Sequence, residues 1–107
     1  MDNLEPAEPY RIESGIMRVN KDLAQDFDLS FDQACVELLK SSQSTLVIDL
    51  SAVNFINSTY VGMIAAAFFQ AQAVGKTLEI IARPGVLRVL TMAGLGSLIK
   101  LCPADTI

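Results

Sequence analysis

Leu46-Val47-Ile48-Asp49-Leu50-Ser51-Ala52-Val53-Asn54-Phe55-Ile56-Asn57-Ser58-Thr59 joins an apolar run to a polar cluster, and the cluster opens a long alanine-rich segment. Val47, Ile48 and Leu50 have the β-branched and aliphatic character of a buried strand. Ser51 to Asn57 is a connector, and its Val53 and Phe55 are expected to tuck under the sheet. Asn57, Ser58 and Thr59 stand where the next helix should begin, and all three side chains suit a cap or a first turn. Backbone N–H groups and the helix dipole also favour an anion there, so two hydroxyls at that point can be plain structure or phosphate acceptors.

Outward from this stretch, the N-terminal side reads as a hairpin and a helix. Tyr10 to Ser14 and Ile16 to Asn20 alternate as strands do, with Ser14-Gly15 as the turn. Lys21 to Asp28 is polar and turn-rich, with Leu23 and Phe27 as expected anchors. Ser30-Phe31-Asp32-Gln33 fits a capping box with Ser30 at the N-cap. Phe31, Ala34, Cys35, Leu38 and Leu39 then form an apolar helix face, and Ser41-Ser42-Gln43-Ser44 ends it.

On the C-terminal side, Ser58 to Val74 is the longest expected helix. Its apolar face includes Val61, Ile64, Ala65, Phe68 and Ala71, and Gly75 supplies the stop. Phe68 and Phe69 cannot both face one core, which leaves Phe69 as an exposed contact or as packing for the N-terminal leader. Thr77 to Ala82 is another strand. Pro84 suits a first helical turn, Val86 to Ala93 is a short helix ended by Gly94, and Leu98 to Leu101 is a last strand. The order β-β-α-β-α-β-α-β predicts an α/β domain with a four- or five-stranded mixed sheet. The 30–40, 58–74 and 85–93 helices are expected mainly on one face, over a core of Val47, Ile48, Leu50, Ile64, Phe68 and Leu90. Residues 1–9 read as a flexible leader, 10–101 as the domain and 102–107 as a tail.

Composition narrows the function classes. The chain has 107 residues, 51% hydrophobic, enough for one core without disulfides. Eight basic residues against twelve acidic ones give a net charge of -4, which argues against a nucleic-acid surface and an anionic membrane surface. With no histidine, histidine triads, histidine metal sites and imidazole switching are excluded. Cys35 and Cys102 follow no metal or redox spacing and read as reduced thiols of a cytoplasmic protein. The acidic, proline-bearing N-terminus is unlike a signal peptide. Val61 to Phe69 is far shorter than the roughly 20 apolar residues of a spanning helix, so no direct membrane insertion is expected. Asn57-Ser58-Thr59 fits the glycosylation sequon, a match read as accidental without a secretory signal. No Walker or G-x-G-x-x-G pattern occurs and no nucleophile–base pair can be named, so neither a cofactor nor an enzymatic reaction is expected.

Three stretches carry a family resemblance. Val47-Ile48-Asp49-Leu50-Ser51-Ala52-Val53-Asn54-Phe55-Ile56 is similar to the strand and Asp-Leu-Ser/Thr-x-Val/Ile-x-Phe-Ile/Met connector of STAS domains. Asn57-Ser58-Thr59-Tyr60-Val61-Gly62 lies on their Asp-Ser-Ser/Thr-Gly-Leu-Gly. Arg83-Pro84-Gly85-Val86-Leu87-Arg88-Val89-Leu90-Thr91-Met92-Ala93-Gly94-Leu95 is similar to their late helix and Gly-Leu turn. With the element order, the resemblance covers about residues 10 to 101, and it is closest to the free-standing anti-sigma-factor antagonists.

The resemblance implies a phospho-acceptor at Thr59, with Ser58 as the lesser candidate, and a partner-binding corner of Asn57, Ser58, Thr59, Tyr60, Gly62 and Met63. It implies a protein partner, a serine/threonine kinase-type anti-sigma factor or a related switch protein. Two positions depart from the family pattern. Asn57 stands in place of aspartate, and Tyr60 in place of glycine, which is expected to set a large ring beside the acceptor. The other function open at this point is a constitutive STAS subunit of a larger assembly, a lipid-transport ABC complex or a stress-sensing body. Thr59 would then be unmodified and Tyr60 a fixed interface aromatic.

Overall fold

The computed structural model describes residues 8–104. Most of the expected leader and the last residues of the expected tail lie outside them. β1 (Tyr10–Glu13) and β2 (Ile16–Val19) form the antiparallel hairpin. Ser14 and Gly15 both have positive φ, 55° and 79°, which twists a two-residue turn to match its strands. A Cβ on Gly15 would also meet the Gln43 side chain at 2.8 Å, so glycine is required there on two counts.

α1 (Leu29–Leu39), β3 (Thr45–Leu50), α2 (Ser58–Ala73), β4 (Thr77–Ala82), α3 (Pro84–Met92) and β5 (Lys100–Pro103) follow. The strands lie in the order β1-β2-β3-β4-β5. All pairings after the hairpin are parallel, as strands joined through helices require. β3 is therefore central. Leu46, Ile48 and Leu50 alternate inward with Met17, Val19, Leu78, Ile80 and Ala82, and the helices bury their own faces in the same cluster. Ile16, Val47 and Ile81 project to the other face and are only half-buried.

Several expectations shift. α1 is capped by Asp28, whose Oδ1 accepts the Phe31 N–H at 2.9 Å, not by Ser30. Aspartate and serine cap equally well, so sequence could not separate them. Leu23 is buried as expected, but Phe27 is 75% exposed and Phe55 53% exposed; neither anchors the fold. The buried stripe of α2 is Tyr60, Ile64, Ala67 and Ala71, with Val61, Ala65 and Phe68 at its shoulder. Val47 and Phe68 are thus peripheral to the core, while Ile48, Leu50, Ile64 and Leu90 sit within it. Phe69 is exposed and packs edge-on against Phe68 at 5.1 Å between ring centres. β5 begins at Lys100, later than expected, and the Ala104 N–H bonds the Ala82 carbonyl at 2.8 Å. The sheet pairing therefore runs on to Pro103.

Candidate functional site

The polar cluster after β3 becomes the N-terminus of α2. Asn57 is the N-cap, in extended backbone, and its Oδ1 accepts the Tyr60 N–H at 3.3 Å. The same side chain faces a second loop, since its Nδ2 donates to the Gln25 carbonyl at 3.0 Å. Backbone bonds run alongside. The Leu23 N–H donates to the Phe55 carbonyl and the Asn57 N–H to the Leu23 carbonyl, each at 2.9 Å. Asp22 accepts the Asn54 N–H at 2.7 Å. The 20–28 loop is thereby fastened along the 51–57 connector. From the far side, Arg83 donates to the Ser51 carbonyl at 2.6 Å and to Asn54 Oδ1 at 2.8 Å. Asp49, at the end of β3, accepts the Ser51 N–H at 2.9 Å and faces Arg18 at 3.7 Å, a structural carboxylate at the strand end.

The residues expected at the corner divide between outside and inside. Ser58, Thr59 and Gly62 are exposed, Asn57 and Met63 are half-buried, and Tyr60 is fully buried. At about 100° per residue, Ser58 and Gly62 point nearly opposite Tyr60, and Thr59 lies on the flank. Tyr60 is therefore no surface ring beside Thr59. Its position is set by the i, i+4, i+7, i+11 spacing with Ile64, Ala67 and Ala71, which turns it under the helix. The sequence carried that signal, but α2 has no charged residue to mark its outer side, so the apolar face could be read rotated by one position.

Beneath the corner Tyr60 meets a charge. Asp28 is only 5% exposed, and four donors converge on it: the Tyr60 hydroxyl at 2.8 Å, the Tyr10 hydroxyl, the Lys21 ammonium at 3.2 Å and the Phe31 N–H. Three of them crowd Oδ2, and the Phe31 N–H alone takes Oδ1. Burial alone would raise its pKa. The Tyr10 and Tyr60 hydroxyls, with the Phe31 N–H and Lys21, outweigh that and hold it down at about 2. The same burial and the bond to Asp28 push the Tyr60 phenol up to about 12 and the Tyr10 phenol higher still. Phe31 packs edge-on against both rings, at 5.4 Å from Tyr10 and 5.1 Å from Tyr60. Hairpin, loop, α1 and α2 thus meet at one carboxylate. Sequence reading missed Asp28 and Tyr10, since neither sits in a motif and 32 residues separate Asp28 from Tyr60.

Among the described residues no cluster of His, Cys, Asp or Glu is placed to hold a metal ion, and no helix is long and apolar enough to cross a membrane. Cys35 is buried, which pushes its thiol up to about 12, and Cys102 is half-exposed. The corner offers exposed hydroxyls at a helix N-terminus, with the buried Asp28 and its donors beneath.

A family model described as "Mlab, STAS domain" matches residues 11–101. Among solved structures, the chain is similar to that of a Thermotoga maritima protein proposed to be an anti-sigma factor antagonist. The TM-score is 0.71 and the identity 24%, over 92% of this chain and 86% of that one. No curated protein matches the sequence.

Proposed function

The chain belongs to the STAS domain family, and from that premise we propose that it is a regulatory protein-binding module rather than an enzyme. One observation carries this reading. α2 runs for 16 residues without a charge, and its outward side presents Ser58, Gly62, Ala66, Phe69 and Ala73 to solvent. An exposed helix side that serves only solvation normally carries charge. Gly62 is the clearest residue of the set. A Cβ there would meet nothing within 4 Å, so the fold has no use for a glycine that costs roughly 0.5–1 kcal/mol in a helix. A close approach by another molecule gives it a use.

Thr59 is the phospho-acceptor in this reading, and a serine/threonine kinase-type anti-sigma factor in the cytoplasm is the partner. Phosphate would add about -1.5 to -2 of charge. The first turn of α2 tolerates that charge, because the helix dipole favours it by about 0.3–1 kcal/mol. The cost falls on a partner that covers a dry or acidic surface, where every 1.4 kcal/mol or so is tenfold in affinity. The burial of Tyr60 supports access to Thr59, since the ring does not stand before it.

A second reading is a constitutive STAS subunit of a larger assembly, such as a lipid-transport ABC complex, with Thr59 unmodified; the uncharged α2 suits a permanent contact as well. Intact mass after incubation with kinase-type anti-sigma factors separates the two. The switch predicts one added phosphate, lost in Thr59→Ala, and weaker partner binding by Thr59→Glu. No phosphate and equal binding by wild type and Thr59→Glu would leave the constitutive subunit. If a Gly62→Leu variant also binds equally, the outer side of α2 is not the functional surface.

A further inference from the structure

We infer that Asn57 and Tyr60 are positioning residues that fasten the 20–28 loop to the first turn of α2, so that loop and corner form a single rigid unit. The inference deepens the reading of the corner as the partner-facing surface. Both residues stand where the family motif has another residue, aspartate at 57 and glycine at 60, and both replacements add a donor. Asn57 Nδ2 donates to the Gln25 carbonyl at 3.0 Å, which an ionised aspartate could not do. The Tyr60 hydroxyl donates to Asp28 at 2.8 Å, which a glycine could not do. Both acceptors lie on the same loop, three residues apart. Alongside these two side-chain ties, the Leu23 N–H bonds the Phe55 carbonyl and the Leu23 carbonyl accepts the Asn57 N–H. Two independent departures therefore converge on one structural task.

The ties also differ in kind, which makes them separable. The Asn57 tie is to a neutral carbonyl at the exposed rim of the corner. The Tyr60 tie is to an ionised, buried carboxylate that the Tyr10 hydroxyl and Lys21 also hold, so it couples the loop to the hairpin as well. A rigid corner presents Ser58, Thr59 and Gly62 in one arrangement, and a partner then binds without the cost of ordering the loop.

The test is amide hydrogen exchange on the free, full chain for wild type, Tyr60→Phe, Asn57→Asp and the double variant. Tyr60→Phe keeps the ring against Phe31 and removes only the hydroxyl. Asn57→Asp keeps the cap acceptor, removes the donor and sets a negative charge near the Gln25 carbonyl. The readouts are the amides of Leu23 and residue 57, bonded across the two loops, against those of Gly75 and Ile99, bonded in turns away from the corner, and of Ile48 and Ile80 in the central strands. A role in global stability alone would speed the strand amides and leave amides that exchange through local opening unchanged. The positioning role predicts that Leu23 and residue 57 speed at least tenfold in Tyr60→Phe, the size expected from losing a hydrogen bond to a charged group, while Gly75 and Ile99 do not change. It predicts a smaller gain in Asn57→Asp and the largest in the double variant. Equal speeding of Gly75 and Ile99, or unchanged Leu23 and residue 57 amides in both single variants, overturns it. Should Tyr60→Phe fail to fold, the Asn57→Asp arm decides alone. Because exchange is read without a partner, a corner that binds nothing would sink the proposed function and leave this result standing.

Discussion

Replacing Tyr60 by the glycine of the family motif tests how this chain uses its most unusual corner residue. Were the ring a surface blocker, Tyr60→Gly would leave the fold intact and open Thr59. The structure predicts otherwise. The ring is fully buried against Phe31, and truncating a buried aromatic to alanine costs about 3–5 kcal/mol through lost transfer energy and the cavity left behind. Glycine in place of alanine in a helix adds up to about 1 kcal/mol. Asp28 also loses one of its donors, a cost near the lower end of about 1–3 kcal/mol if water enters the cavity. Together these amount to about 5–7 kcal/mol, against a total stability of about 5–15 kcal/mol for a domain of this size. Tyr60→Gly is therefore expected to be largely unfolded or on the edge of unfolding. Urea denaturation followed by far-ultraviolet circular dichroism measures it, with Tyr60→Phe as the control that keeps the ring and loses only the hydroxyl. A loss below about 2 kcal/mol for Tyr60→Gly would show that the ring is not core, and the placement of α2 in this structure would be wrong.

Three further outcomes follow from the same geometry. Ile48→Ala should cost about 2–5 kcal/mol, and half-buried Phe68→Ala clearly less; equal losses in denaturant would put Phe68 in the core after all. Gly62→Ala should stabilise the chain by about 0.5–1 kcal/mol, because the added methyl meets open space, and a lower thermal midpoint would contradict this. The Asp28 carboxyl is held at about 2 against an ordinary 3.8, so its contribution, on the order of 2 kcal/mol, is fully present above the unfolded value. It is lost as pH falls from about 5 towards 2. Stability measured from pH 7 to 2 should show that loss in wild type and a flatter profile in Asp28→Asn.

The sheet was legible from sequence because its signals were redundant. Thr45 to Leu50 and Thr77 to Ala82 are apolar runs bounded by turn residues, and Ser14-Gly15 and Gly75 punctuate where positive φ is needed. The interior of the corner was harder to read. α2 is hydrophobic nearly all round, so periodicity places it on the core without fixing its rotation, and Tyr60 is turned inward by three weak partners, Ile64, Ala67 and Ala71. Phe27 and Phe55 looked like anchors because they are large, yet the 20–28 loop is held by backbone bonds and by Asp28 instead. The Asp28 carboxylate gathers Tyr10, Lys21 and Tyr60 from separate elements, and no local spacing announces such a meeting.

The two departures from the family motif then take on a different weight. Each considered alone is a loss: Asn57 removes a carboxylate from beside Thr59, and Tyr60 removes a flexible glycine after it. In the structure neither change obstructs Thr59. Asn57 keeps the cap that its aspartate equivalent would make, and Tyr60 points the opposite way from the exposed hydroxyls. Both changes direct a hydrogen-bond donor towards the 20–28 loop. An aspartate at 57 would instead bring a negative charge near the Gln25 carbonyl it now binds, and a glycine at 60 would leave Asp28 buried with fewer donors. The substitutions are therefore compatible with each other in a way that restoring one residue alone is not. Departure from the motif at 57 and 60 is thus poor evidence against a working switch at Thr59, and good evidence that loop and helix start are held together.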